Sequence, residues 1–321
     1  MRCSKLFAAV GTVMLLAGNA VHAQESSTPV RLIVGFAPGG ALDAVARAVA
    51  GQLRIALNQP VLVENKPGAG QRIALGETRR AKADGLTLIL ANSTPFTIYP
   101  HIYQKLEFDP VRDFTPLGRV ATFELGLSAG PATPAGSIKE YLAWAKANPA
   151  KATFGSPGAG TPGHLVGEML NKAAGVSLVH VPYKGGAPAM NDLVGGQISL
   201  VIDTILEALE MAKAGKVRIL ATTGSERTAI TPDVPTLREA GIDVVFDAYI
   251  GLYGPANLPA DKAERISKAL EATLQSEDLQ KRIAQFAYKP AYAPPAVVVK
   301  LQQDELKRWE APIKAIGFVA D

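Results

Sequence analysis

The stretch FGSPGAGTPGHLVGEML, residues 154–170, holds the pattern on which the fold of this chain turns. A short β-like run (152–155) stops at a turn of glycine, serine and proline, and an amphipathic helical run follows. Gly158, Gly160 and Gly163 spell G-x-G-x-x-G, the glycine pattern of a dinucleotide-binding strand–turn–helix. Such a site also needs an acidic residue about 20 positions on, at the end of the next strand. Here that strand, SLVHVPY (177–183), runs into Pro182-Tyr183-Lys184, so the nicotinamide or flavin reading fails and no cofactor is expected. The physics of the turn remains. Glycines let the backbone come close to a bound group, and the unpaired N–H groups of a helix start favour an anion. Pro162 suits the first helical position, where its missing N–H would have had no partner. A phosphate would satisfy such a turn, and so would a carboxylate.

The same device stands near the beginning of the chain. The strand VRLIVGF (30–36) ends in Phe36-Ala37-Pro38-Gly39-Gly40, and Ala41 opens a helix with Leu42, Val45, Ala46, Val49, Leu53 and Leu57 on one face. QPVLVEN (59–65) and LTLILAN (86–92) complete a βαβαβ unit of buried, mostly parallel strands. An irregular region (99–117) and a strand-like run (119–128) come next. A second α/β unit opens at Ser137-Ile138-Lys139-Glu140, a capping-box pattern. Strands 152–156, 177–183, 198–204 and 217–223 then alternate with helices 162–174, 187–195 and 205–214. A strand over 244–255 leads back, and helices 259–275, 277–287 and 294–316 finish the chain, with breaks at Pro259, Pro290, Pro294 and Pro295. The expected architecture is α/β: two lobes with a cleft between them, joined by short crossing strands, and a helical C-terminal segment.

The ends and the composition narrow the function. Met1–Ala23 has a short basic start (Arg2, Lys5), an apolar stretch from Leu6 to Ala17, and small residues at Val21 and Ala23. That is an export signal with cleavage after Ala23; its apolar run is shorter than the ~20 residues of a membrane span. The single cysteine, Cys3, leaves with it, so the mature protein has neither disulfide nor cysteine metal site, and no metal is expected. Arg2 and Lys5 also supply two of the four units of the formal net charge of +4. No basic cluster interleaved with aromatics is present, which argues against nucleic acid. With 321 residues, 48% of them hydrophobic, the chain has material for two domains rather than one.

RLIVGFAPGGALDAVAR (31–47), PVLVENKPGAG (60–70), DGLTLILAN (84–92), EFDPVRDFTPL (107–117), GSPGAGTPGHLVGEML (155–170), VPYKGGAPAMNDLVGGQISLVID (181–203) and PDVPTLREAGI (232–242) together resemble the exported solute receptors of the tripartite tricarboxylate transporter family, also called Bug receptors. The resemblance implies a periplasmic binding protein of type II-like, Venus-flytrap form, hinged and closing on a small carboxylate held by main-chain N–H groups and small side chains. Its lobes would be 24–126 with 247–321, and 127–246. The first-lobe pocket would use Phe36, Ala37, Pro38, Gly39, Gly40, Ala41, Asn92, Ser93 and Thr94. The second would use Ser156, Gly158, Ala159, Gly160, Thr161, Pro182, Tyr183, Lys184, Gly185 and Asp203. Three places depart from the family pattern: Gln71-Arg72 where it favours Gly-Asn, Phe123-Glu124 where it tends to Pro and an apolar residue, and Tyr249 where it often has Trp.

Duller roles stand beside these. Asp43 can cap its own helix or pair with Arg47, its i+4 neighbour, and a carboxylate there would repel a carboxylate ligand. Asp203 can accept from a ligand hydroxyl or amine, or tie down a loop. Tyr183 is expected to pack on the ligand rather than brace its loop, and Lys184 to be solvated. His164 and Glu168, one helical turn apart, lack the H-E-x-x-H zinc pattern, so His164 reads as a helix-surface or capping group. Ser156 directly follows a glycine, which is not the G-x-S-x-G elbow, and the sequence shows no base beside it. The expected protein is therefore a receptor, not an enzyme. It is a periplasmic monomer that delivers a di- or tricarboxylate, an aromatic carboxylate or an amino acid to membrane transporter subunits. The alternatives are an adaptor for a sensor kinase and, less favoured, an exported hydrolase using the same cleft. Phe36, Phe123 and Tyr249 suggest a wall for an aromatic or extended aliphatic body.

Overall fold

A computed structural model describes residues 28–320; the export segment, its cleavage point, Cys3 and His22 lie outside the described residues. The chain starts with β1 (Val30–Val34), α1 (Ala41–Leu57), β2 (Val61–Asn65), α2 (Arg72–Arg79) and β3 (Thr87–Asn92), then α3 (Thr94–Thr97), α4 (Tyr99–Ile102) and the long β4 (Phe114–Ala129). Next come α5 (Ile138–Ala147), β5 (Thr153–Ser156), α6 (Pro162–Ala174), β6 (Val179–Pro182), α7 (Gly186–Val194), β7 (Leu200–Thr204), α8 (Ile205–Lys213) and β8 (Arg218–Thr222). It returns through β9 (Asp247–Pro255), α9 (Ala260–Leu274), α10 (Glu277–Gln285), β10 (Lys289–Ala293) and α11 (Pro295–Ile316).

Two lobes of the same design result. In one, β2-β1-β3 run parallel and β9 and β4 follow antiparallel; in the other, β6-β5-β7 run parallel and β4 and β8 complete the sheet. The apolar periodicity explains why the helices pack on the sheets. Leu42, Val45, Ala46, Val49, Leu53 and Leu57 of α1 are all buried, and a fully buried aliphatic side chain stabilises by about 1.5–3 kcal/mol. The Ser137 hydroxyl accepts from the Glu140 N–H as a capping box requires, while the Glu140 carboxylate reaches the Gly136 N–H rather than that of Ser137.

β4 belongs to both lobes. Its first part pairs with β9, from Phe114 opposite Pro255 to Glu124 opposite Asp247, and its last part pairs with β7, from Leu125 opposite Thr204 to Ala129 opposite Leu200. The chain crosses back at Thr223 and Phe246. There the Thr223 hydroxyl donates to Phe246 O (2.7 Å) and accepts from Leu125 N (2.9 Å), while Thr223 N donates to Leu125 O (3.0 Å). The C-terminal segment straps both lobes. Arg308 pairs with Asp247 at 2.9 Å, Lys172 Nζ of α6 donates to Ala315 O, the Phe318 ring stands on His164, and Ala320 N donates to Ile102 O of α4.

Two expectations need correction. The stretch 99–117 is not wholly irregular, since it opens with the α4 turn and already contains the start of β4. The proline-marked break near residue 290 holds a strand, β10, at the edge of the first-lobe sheet beside β4. Proline is tolerated at such an edge because no ladder bond needs its missing N–H.

Candidate ligand-binding cleft

The candidate loops sit where parallel strands end: 35–40 after β1, 66–71 after β2, 92–94 after β3, 157–161 after β5, 183–185 after β6 and Asp203 near the end of β7. Ligands of open α/β sheets gather at these carboxyl ends. A hollow of about 290 Å³ lined by Val30, Gln59, Lys262 and Arg265 lies at the opposite end of the first sheet, where the strands begin, and is not the candidate.

In the first lobe Ala37, Pro38 and Gly39 are exposed and Phe36 and Gly40 half-buried. Asp43 organises this loop from beneath. Its Oδ2 accepts from Gly39 N and Arg47 Nε, both at 2.9 Å, and its Oδ1 from Asn65 Nδ2, which also reaches Phe36 O. Burial pushes this carboxyl up, but those hydrogen bonds outweigh it and hold the group below its ordinary range. The Arg47 pair expected of Asp43 is therefore present, but its other bond goes to the Gly39 amide ahead of the helix rather than to a helix cap, and that amide is spent inside the protein rather than offered to an anion. The amides of Ala41, Leu42 and Asp43 at the start of α1 have no acceptor among the described residues. They form the positive end of a 17-residue helix.

Asn92, Ser93 and Thr94 form a buried floor. Ser93 is locked to β9: its N–H donates to Tyr249 O (2.8 Å) and its Oγ accepts from Tyr249 N (3.3 Å). Asn92 Oδ1 accepts from Thr94 N and from Gln71 Nε2. Burial raises the Tyr249 phenol to about 12, and its hydroxyl accepts from that of Tyr253. Phe123 is buried with its edge against Tyr288.

The second-lobe turn is closed on itself. Thr161 Oγ1 donates to Gly158 O (2.7 Å), and Gly160 N donates to His164 Nδ1 (3.0 Å). The Gly160 amide is thus also committed internally. His164 is buried and not a surface group; it holds the Gly160 amide just ahead of the helix. A base does stand beside Ser156, contrary to the sequence reading: His180 Nε2 lies 2.7 Å from Ser156 Oγ. The strand pairing explains it, because Phe154 of β5 lies opposite His180 of β6 and brings the imidazole alongside. Ser156 is nevertheless fully buried, with Gly158 O at 3.0 Å, and His180 is stacked on His164 at 3.9 Å. Burial and then the neighbouring His164 lower the His180 pKa to about 4. A neutral imidazole holding a sealed hydroxyl braces a turn; it offers no open nucleophile.

The third loop also differs from expectation. The Tyr183 hydroxyl donates to Asp192 Oδ2 at 2.7 Å, so Tyr183 braces its loop against α7. Gly185 N donates to Pro157 O, tying this loop to the Ser156 turn; Pro182 and Lys184 are exposed. Asp203 Oδ1 accepts from Thr204 N, while Oδ2 is buried without a partner, against Gly186, where any Cβ would collide with it. Burial, then the nearby Glu207, push the Asp203 carboxyl well above its usual range, which favours its protonated form.

The turn at Gly160 is one place where the two lobes meet. A Cβ on Gly160 would stand 3.2 Å from Ile102 Cδ1 and 3.4 Å from the Tyr103 hydroxyl of the first lobe. Of the six buried side-chain N or O atoms without a hydrogen-bond partner among the described residues, four lie at or just past strand ends: Gln71 Oε1, Thr94 Oγ1, Asp203 Oδ2 and Thr222 Oγ1. Gln71, Asn65 and His180 lie outside the expected site residues; in the sequence Gln71 is marked only by its departure from the family pattern.

The profile described as the tripartite tricarboxylate transporter family receptor, TctC, matches residues 45–318. This chain belongs to that family. The family is one of solute-binding receptors rather than enzymes. Among solved structures, the chain is similar to the periplasmic binding protein BugD (32% identity, TM-score 0.85, covering 91% of this chain and 99% of that one). It is also similar to MatC of Rhodopseudomonas palustris with bound malate (29%, TM-score 0.81, 89% and 98%). An R. palustris protein solved with adipate is a third neighbour (28%, TM-score 0.86, 91% and 98%). Among the described residues of this chain no helix is long and apolar enough to cross a membrane.

Proposed function

We propose that this chain is a periplasmic receptor that closes on a small organic carboxylate and delivers it to the membrane subunits of a tripartite tricarboxylate-type transporter. In this reading residues 1–23 are removed on export, residues 24–126 with 247–321 form one lobe, and 127–246 form the other. The loops 36–41, 92–94, 156–161 and 182–185, with Asp203, form the pocket. The observation that carries it is the sealed polar ground at the strand ends, where Thr94 Oγ1 and Asp203 Oδ2 have no partner. A buried polar group left unpaired costs about 1–3 kcal/mol, so each calls for a guest.

A carboxylate fits that demand. Asp203 in its protonated form, which burial favours, donates to one of its oxygens; the Thr94 hydroxyl and the free amides opening α1 supply further donors. Each hydrogen bond to a charged group contributes about 1.5–3 kcal/mol net, so a handful suffices for micromolar binding after ordering costs. The malate and adipate of the related structures are both dicarboxylates and support this class. Guest contacts made from both lobes stabilise the closed form by their differential affinity, and the closed surface is what the membrane partner reads. A thermal-shift screen of mono-, di- and tricarboxylates tests the reading. At least one acid raises Tm by several degrees; a panel without any shift, on protein shown by mass spectrometry to carry no acid, overturns it.

A further inference from the structure

We infer that Gln71 makes this cleft select a carboxylate that also bears a hydroxyl group. The inference rests on the receptor reading above and names the class of acid. Gln71 ends the turn that follows β2, at φ +76°, a left-handed backbone that glycine adopts more readily. Its Cβ and Cγ lie across the end of β1, each 2.6 Å from where a Cβ on Gly35 would stand. The side chain thus lies across the strand ends, and the residue is only 1% exposed.

Its orientation follows from its neighbours. Asn92 Oδ1 accepts from Thr94 N at 3.2 Å, which fixes the Asn92 amide, so the group Gln71 turns toward that oxygen, at 2.8 Å, is its nitrogen. Gln71 Oε1 is left buried and without a partner, and so is Thr94 Oγ1, whose own backbone amide meets the same Asn92 oxygen. A carbonyl oxygen only accepts. It repels a carboxylate and welcomes a donor. A guest hydroxyl satisfies Gln71 Oε1 by donating to it, which leaves the Thr94 hydroxyl free to donate to the guest's carboxylate. An ammonium could donate there too, but burying its charge against a neutral amide costs far more than burying a hydroxyl. Both orphan atoms are buried at the carboxyl ends of first-lobe strands, the ground of the proposed pocket.

Calorimetric titration with acids matched except for the hydroxyl tests this: malate against succinate, lactate against propionate, citrate against tricarballylate, with aspartate as the amino comparator. In the wild type the hydroxy member of the pair that fits binds about tenfold or more tightly than its partner. Gln71→Met, which keeps bulk, and Gln71→Gly, which suits the left-handed backbone, bring that ratio within about threefold while the deoxy acid still binds. A wild-type ratio near one, as a sealed water on Gln71 Oε1 would give, overturns the inference and leaves the receptor reading standing. So does a ratio unchanged in both variants, or aspartate bound more tightly than malate. Binding of no acid at all overturns both.

Discussion

Gly160 is where closure of the cleft is read most directly, and its replacement separates folding from binding. At φ +74° any L-residue pays about 1–2 kcal/mol, and a β-branched one more. That cost falls on open and closed forms alike, so it lowers Tm by a few degrees without changing affinity. The contact with the first lobe differs, because it exists only when the lobes meet. An alanine Cβ would stand 3.2 Å from Ile102 Cδ1, the far end of a flexible side chain that yields by a few tenths of an ångström. A valine reaches about one bond length further, toward the Tyr103 hydroxyl. Tyr103 cannot retreat easily, since its ring carries the Arg72 guanidinium and stands against Tyr99, and its backbone pairs with Ala320.

Overpacking of this kind costs about 1–3 kcal/mol, here subtracted from closure alone. Gly160→Val therefore binds its best acid roughly 5- to 150-fold more weakly, whereas Gly160→Ala stays within about threefold of wild type. Isothermal titration of the three proteins measures this, and small-angle scattering with and without acid shows whether the valine variant still contracts. Wild-type affinity and wild-type contraction in Gly160→Val, at a lowered Tm, would refute the argument that this turn meets α4 in the bound state.

Other outcomes follow from the buried polar groups. Because the Asp203 carboxyl titrates above its unfolded value, it contributes stability at low pH that is lost as pH rises; the slope reaches at most about 1.4 kcal/mol per pH unit, and Asp203→Asn flattens it in urea melts between pH 5 and 8. Equal slopes in the two proteins would show the carboxyl to be an ordinary one. His180 acts in the opposite direction: with a folded pKa of about 4 it resists protonation, so stability falls as pH drops from about 6.5 toward 4, by roughly 2 kcal/mol after allowance for partial exposure. His180→Phe removes that loss, and an unchanged acid limb of the melting profile would count against it. At the crossing between lobes, Thr223→Val deletes a hydroxyl that serves both Phe246 O and Leu125 N, which costs about 1–3 kcal/mol in chemical denaturation; a change below about 0.5 kcal/mol would show that the crossing does not depend on it.

The frame of this molecule was legible in its sequence because apolar periodicity encodes it, whereas of the candidate site the sequence marks the loops and not how they are used. Helix α6 runs from Pro162 to Ala174, the span expected, since Pro162 starts it and Gly175 at φ +59° ends it. β10 was hidden because Pro290 lies within it, and the first part of β4 because Pro116 and Gly118 interrupt it at a bulge. How the loops are used depends on contacts that no spacing rule reveals. Gly39 and Gly160 each give their N–H to the side chain four residues on, Asp43 and His164 respectively. Ser156 and His180 meet across 24 residues only through the register of β5 and β6. These bonds shape both loops without a ligand, and in doing so they consume amides that would otherwise face an anion. In the proposed receptor, anion binding then falls to the remaining free amides at the start of α1 and to side chains, chiefly Thr94 and Asp203. Main-chain donors are blind to the rest of a guest, whereas side chains at strand ends can differ between relatives on one unchanged scaffold. That is why the departure at Gln71, rather than the glycine turns, is where this chain's own selectivity is to be sought.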